Sequence, residues 1–484
     1  MSISHSPSRT RKQVKNEVIY NYNAAAPVNR LSPELVSAVF MEGLPERDSL
    51  QPAASWLQRL RFLVLISAVS GGWRRVALDT APLWSFIMYQ TGMSRAADVR
   101  RMKIIKEFIL RSKEAIIDLT IVLDDDRQST IGPKLRGAIG KRRLEFALAL
   151  RSLVEDHSHR CRSFMLFASD TVMAGPFFPL PPRMPALTDL TIRTNSVCDG
   201  PNGPVISLFP EGMECQLRTM TIASCPLPEI ESIDFCRVQT LTLNLKFLTS
   251  RSDEVLRLLS PFRNLRTLDI RGAMRPPHGP LLPITMPNIT KITMVQDTQE
   301  GFLNSIIAPQ LEHLALIGSA IPKSLGGSLR TLCLEFESLS SALPMIQSVA
   351  SQTDLVAMHF KLTPACNSDV LQFLNGYGAG KSDLSVGTYA LPCPSLEFVR
   401  ILTTGSSWKY SFRHYKTLLA ESLGALLERR PNLTLEIQGF GVNPGEVVQS
   451  WLDALVGDFG SRVCVLEDYS HPTPLSDLFS SHGD

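Results

Sequence analysis

The stretch LRTLDI, residues 265–270, carries an aliphatic residue at its first, fourth and sixth places. Read as a strand, it alternates: Leu268 and Ile270 share one face, Thr267 and Asp269 the other, and Leu265 turns in from the preceding corner. A strand this short cannot bury its apolar face alone, so the reading depends on neighbours of the same kind. They are present: LTDLTI from Leu187, LRTMTI from Leu217, VQTLTL from Val238, ITKITM from Ile289, LEHLALI from Leu311, LRTLCL from Leu329, LVAMHF from Leu355 and LEFVRI from Leu396. Successive starts are separated by 30, 21, 27, 24, 22, 18, 26 and 41 residues, mostly within or near the roughly 20 to 29 residues of a leucine-rich repeat. Looser versions lie on both sides: AIIDLTI (115–121) and CRSFMLF (161–167) before, LTLEI (433–437) and VCVLE (463–467) after.

Stacking such strands side by side makes a parallel sheet with one continuous core. The expected fold is α/β: an irregular leucine-rich repeat solenoid over residues 110–470, with parallel strands on its concave face and helices and loops on its convex face. Helical or irregular returns are expected at SDEVLRLLSPF (252–262), where Val255, Leu256, Leu258 and Leu259 form the inward side, at FLNSIIAPQ (302–310) and at LPMIQSVA (343–350). A capping helix is expected from Tyr415 to Arg430, stopped by Pro431. The strand positions facing away from the core supply a candidate substrate face: Thr191, Arg218, Thr242, Arg266, Asp269, His313, Arg330 and Arg400. Threonine is frequent there, as strand propensity alone would make it.

The N-terminal part follows a different period. Residues 1–28 read as a disordered basic tail; the first thirty residues hold Arg9, Arg11, Lys12, Lys15 and Arg30 against Glu17 alone. In NRLSPELVSAVFMEGLP (29–45), Ser32 is a candidate helix cap, Pro33 suits the first helical position, and Leu35, Val36, Val39 and Phe40 share a face. After a polar linker, WLQRLRFLVLISAV (56–69) is apolar nearly all round, so it is either buried on several sides or covered by a partner. Gly71 and Gly72 are expected to break or tighten the chain before a short third helix at Trp73, and a turn at Asp79–Pro82 leads to the exit at Leu83 and Trp84. Three short helices bury little by themselves, which leaves two readings: a cap on the first repeat, or a partner-docking module.

The two phrases LSPELVSAVF and VSGGWRRVALDTAPLWSFI, residues 31–40 and 69–87, together resemble the F-box of fungal proteins, especially those of mushroom-forming fungi. Fungal F-box proteins often carry degenerate leucine-rich repeats, and SKEAIIDLTIVLDD (112–125) is similar to the first strand after the F-box in that group. The resemblance implies a three-helix module over 29–87 that binds a Skp1-like adaptor, and through it a cullin-RING ubiquitin ligase. It falls on Leu31, Pro33, Leu35, Val36, Val39, Phe40, Val69, Trp73, Val76, Leu83 and Trp84. The rest of the chain would then select an unknown protein substrate. Residues 88–109 are expected to be a linker helix and 471–484 a flexible C-terminal tail.

Other classes find little support. A formal charge of +3 over 484 residues argues against nucleic acid. No apolar run reaches the roughly 18 residues of a membrane span, and no signal peptide is visible, so an intracellular protein is expected, cytoplasmic or nuclear. The nine cysteines contain no C-x-x-C pair and suit small core residues in a reducing compartment. His157 and His159 beside Cys161, the acidic run Asp124–Asp126, and the glycine-rich GYGAGKSD (376–383) each imitate part of a metal or phosphate site without its spacing. No catalytic residue, metal or cofactor is expected.

Overall fold

The aliphatic pair of every full motif is buried where alternation puts it, from Leu190 and Ile192 through Leu268 and Ile270 to Val399 and Ile401, and so are the leading residues, from Leu187 to Leu396. Each such side chain contributes about 1.5–3 kcal/mol by leaving water. A column of them offsets the entropy of ordering a chain whose strands are only five or six residues long. The computed structural model describes residues 27–46, 52–91, 95–123, 133–168, 175–194, 208–210, 213–223, 227, 235–245, 250–295, 301–317, 328–335, 354–362, 393–403, 423–438 and 446–466. It divides into two compact units: Met1–Asn195 with Phe209–Gln216, and Ser196–Leu208 with Leu217–Asp484.

The first unit opens with helices α1 (Pro33–Glu42), α2 (Pro52–Val69) and α3 (Gly71–Asp79). Ser32 caps α1, its Oγ accepting from the Leu35 amide at 3.5 Å, and Pro33 occupies the first turn, where no amide hydrogen is needed. Two expectations are corrected here. Helix α2 begins inside the supposed polar linker, at Pro52. And Gly71 and Gly72 do not break the chain: they form the first turn of α3, because Ser70 supplies the cap, its Oγ accepting from the Trp73 amide at 3.1 Å.

After a 3-10 turn at Ala81–Trp84 comes strand β1 (Phe86–Gln90), then α4 (Arg95–Ser112), β2 (Ile117–Leu123), α5 (Pro133–His157) and β3 (Cys161–Ala168). The expected linker helix over 88–109 is therefore corrected to a strand followed by a helix. The run Phe86-Ile87-Met88-Tyr89 is buried throughout, with α2 and α4 both packed against it, which is how a strand covered on both sides reads. Short strand β4 (Arg183–Met184), β5 (Asp189–Thr194) and short strand β6 (Glu214–Cys215) complete the unit. Its ladder runs β1-β2-β3-β5, all parallel, with β4 pairing β6 separately.

The second unit has β7 (Thr219–Ala223), β8 (Thr240–Asn244), α6 (Ser252–Leu259), β9 (Thr267–Arg271), β10 (Ile284–Thr285), β11 (Lys291–Val295), β12 (Ile306–Ile307), β13 (His313–Ile317), β14 (Thr331–Glu335), β15 (Ala357–Leu362), β16 (Phe398–Thr403), β17 (Thr434–Gln438), α7 (Glu446–Phe459) and β18 (Val463–Leu466). Its ladder, β7-β8-β9-β11-β13-β14-β15-β16-β17-β18, is parallel at every step. This sequential parallel order following a helical N-terminal region is a solenoid-like α/β architecture. Helix α6 buries Val255, Leu256, Leu258 and Leu259 as its spacing requires, and Phe235 stacks on Phe262 at 4.8 Å. The return at 302–310 is of the irregular kind. It is a 3-10 turn at Leu303–Ser305 followed by β12, which pairs β10. Of the expected C-terminal helix, residues 423–429 are helical. Its earlier part, both terminal tails apart from Pro27 and Val28, Asp124–Asp126, LPMIQSVA and GYGAGKSD lie outside the described residues.

Candidate functional site

The helical head sorts the eleven residues carried by the resemblance into two groups. Val36, Phe40, Leu83 and Trp84 are buried and hold the head together. Phe40 meets the Trp73 ring edge-on at 5.1 Å, and the Trp84 indole donates to the Ala77 carbonyl at 2.8 Å. Trp84 also meets Phe108 edge-on at 5.0 Å, and the Arg111 guanidinium lies over its ring at 4.5 Å. These four cannot touch a partner without the head opening. Trp73 and Val76 are half-buried, whereas Leu31, Pro33, Leu35, Val39 and Val69 are exposed, Leu35 at 55% and Val39 at 56%. On α2, three exposed apolar residues were not singled out by sequence: Leu57, Val64 and Leu65. The all-round apolarity of that helix was their signal. The structure covers one side of it, through Leu63 and Ile66, and leaves the other in solvent.

On the ladders, the candidate substrate residues occupy three different register positions. Thr191 lies on β5 of the first unit, opposite Met165 of β3. In the second unit Arg218, Arg266 and Arg330 are exposed at the corner just before their strands. Their carbonyls accept from the next rung: Arg218 from Thr240 at 3.0 Å, Arg266 from Lys291 at 3.0 Å, and Arg330 from Ala357 at 3.0 Å. His313 stands one position later, between Lys291 and Thr331. Burial is the main cause that pulls its pKa below the ordinary 6.5, opposed by Glu312 and reinforced by Lys291 and Arg330. Thr242 and Asp269 are direct neighbours across β8 and β9, and Asp269 is paired with Arg271 at 2.8 Å.

Arg400 departs from expectation. It shares a register row with Cys333, His359 and Glu436, on consecutive strands β14 to β17. It is 8% exposed and grips Glu436 with two contacts, Nε–Oε1 at 2.6 Å and Nη2–Oε2 at 2.9 Å. A guanidinium held this way is committed to its own sheet and offers no recognition surface. His359 is 1% exposed and lies 5.6 Å from the Phe398 ring. Cys333 beside it has its thiol pushed up to about 12, mainly by burial, with Arg400 and Lys291 acting against that. A thiol protonated this firmly is no nucleophile at neutral pH.

His157, near Cys161, is pulled below its ordinary value, first by burial and then by Arg160. Among the described residues no three His, Cys, Asp or Glu side chains are placed to share a metal ion, and no helix is long and apolar enough to cross a membrane. What the described residues do offer is surface: apolar side chains on the head, and the exposed Arg218, Arg266 and Arg330 at the corners of the second ladder. No protein-family model matches the chain, and no curated protein matches it either.

Proposed function

We propose that the chain is a protein-interaction scaffold, with the helical head serving as the N-terminal cap of its first parallel ladder. The observation that carries this reading is Trp84. The residue ends the head, bonds back to Ala77, and packs on Phe108 of α4 directly before β1 begins, so head and first rung share one core. The corners of the second ladder, where Arg218, Arg266 and Arg330 are exposed, are its binding surface for protein ligands. A second reading, substrate receptor of a cullin-RING ubiquitin ligase, draws support from the exposed Leu35, Val39, Leu57, Val64, Leu65 and Val69. Apolar side chains in such number on two short helices suit a docked partner.

One experiment separates the readings. Light scattering after size exclusion, on the full chain with and without the purified adaptor, gives one mass or two. A scaffold stays apart from the adaptor. A ligase receptor forms a 1:1 complex that Leu35→Asp with Val39→Asp abolishes, since central anchors commonly carry about 2 kcal/mol or more. In either case affinity purification is expected to lose ligands of the repeat surface when Arg218, Arg266 and Arg330 are changed to Glu, and retention of every ligand in that triple variant removes the proposed binding surface.

A further inference from the structure

Helix α4 carries six basic residues against two acids, a formal +4 that exceeds the +3 of the whole chain. Both acids are engaged. Asp98 is 1% exposed and accepts from the Tyr89 hydroxyl at 3.4 Å, and Glu107 is paired with Arg111 at 2.7 Å. The inner side of α4, formed by Ile105, Phe108 and Ile109, is already buried, and the helix packs on β1 and the 3-10 turn before it. Its outer side bears Val99, Lys103, Lys106, Leu110 and, just past the helix, Lys113, all exposed, with Leu110 at 72%. The spacing of 4, 3 and 4 residues from Val99 to Leu110 sets those four in one line along the helix, the pattern of a helix-pairing seam.

We infer that this line docks an acidic amphipathic helix from a partner protein, carboxylates meeting Lys103 and Lys106 and aliphatic side chains meeting Val99 and Leu110. A lysine covered by a partner loses its hydration, so the partner must bring the opposite charge. A spacing of 4 and 3 is matched by a second helix, whose own surface rows repeat in the same way. An anionic membrane fits less well. A helix lying in a bilayer surface segregates its apolar side from its basic side, whereas here the two alternate along one line and the ring of Phe108 points inward.

The test uses the full chain and fluorescence anisotropy with a labelled synthetic helical peptide that carries Glu and Leu along a 4,3 seam. Comparison probes are polyglutamate and vesicles of phosphatidylcholine with phosphatidylserine. Binding of the peptide is expected. Lys103→Glu with Lys106→Glu is expected to weaken it roughly tenfold or more, and Leu110→Gln by about threefold. These residues are exposed, so both variants should keep the wild-type thermal melt. Absence of peptide binding overturns the inference, as does an unchanged affinity in the double variant. Equal binding of polyglutamate with no effect of Leu110→Gln reduces the seam to plain charge attraction and also overturns it. Binding to vesicles but not to peptide replaces the protein partner with a membrane.

Discussion

Gly272 is where a single residue decides whether one rung can close. The chain leaves β9 there with φ of +103°, and a Cβ added at that position would lie 1.8 Å from the Leu245 carbonyl oxygen. The obstacle is backbone, so no side chain can swing aside. Both strands are also tied where they meet: Gly272 donates to the Val295 carbonyl at 2.8 Å and Leu245 to the Arg271 carbonyl at 2.6 Å. Gly272→Ala is therefore expected to cost about 3 kcal/mol or more, combining left-handed strain with overpacking. Gly279, with nothing within 4 Å of its added Cβ, serves as the control: Gly279→Ala should stay within about 0.5 kcal/mol. Urea denaturation followed by circular dichroism measures both. Equal stability of the two variants would mean that the strand end can shift to admit a side chain.

Among the elements, the returns are held by a device that repeats in both units. Arg160 ends the 3-10 turn directly before β3. Its guanidinium reaches back to the end of α4, donating to Ser112 Oγ at 3.0 Å, to the Ala115 carbonyl at 3.1 Å and to the carbonyls of Lys113 and Ile109. Arg462 ends the 3-10 turn directly before β18 and donates to the carbonyls of Leu427, Arg430 and Pro431 at 3.0, 3.2 and 3.1 Å, at the close of the helix over 423–429. In each case one planar cation adds hydrogen bonds to several carbonyls at and just past a helix end. Arg160→Gln and Arg462→Gln should each cost about 1–3 kcal/mol. Lysine should not restore the loss at Arg160, where Nη1 and Nη2 both donate, and should restore more at Arg462, whose three contacts all come from Nη1. Chemical denaturation of the glutamine and lysine pairs checks this, and full rescue by lysine would show that charge at the helix end suffices. These clasps were invisible in the sequence, since Arg160 and Ser112 are 48 positions apart and share no motif. The strands were legible because burial on one face imposes a period of two. Strand β1 was not, because an apolar run covered on both faces has no period. On the head the residues were legible but their directions only in part: Leu35 and Val36 differ by one position, and only packing against α3 decides which of them faces inward. Arg400 looked like surface for a similar reason. Its partner Glu436 is 36 residues away, and strand register alone brings the two together.

Across the whole molecule, the cysteines distinguish a core that merely excludes water from one that also suppresses ionisation. Cys161 in the first unit and Cys333 and Cys393 in the second are buried, whereas Cys464 is exposed. Burial raises Cys333 to about 12 and Cys393 to about 11, from an ordinary 9.0. Alkylation needs the thiolate, so at pH 8 ionisation alone should slow Cys333 roughly a thousandfold and Cys393 roughly a hundredfold relative to an ordinary thiol. Steric burial adds to this. In a ladder where each rung contacts only its neighbours, access to a buried thiol requires local opening of its own rung, and the rate then reports that opening. Brief iodoacetamide treatment of the native chain, mapped by mass spectrometry, should label Cys464 and leave Cys161, Cys333 and Cys393 unmodified. Raising urea should expose Cys161 at the concentration where the first unit loses its structure, and Cys333 and Cys393 together where the second does. Labelling of Cys333 as fast as Cys464 in the absence of denaturant would mean that the row from Cys333 to Glu436 is open to solvent. The committed pairing of Arg400 with Glu436 would then have to be abandoned, and Arg400 would return to the surface available for binding.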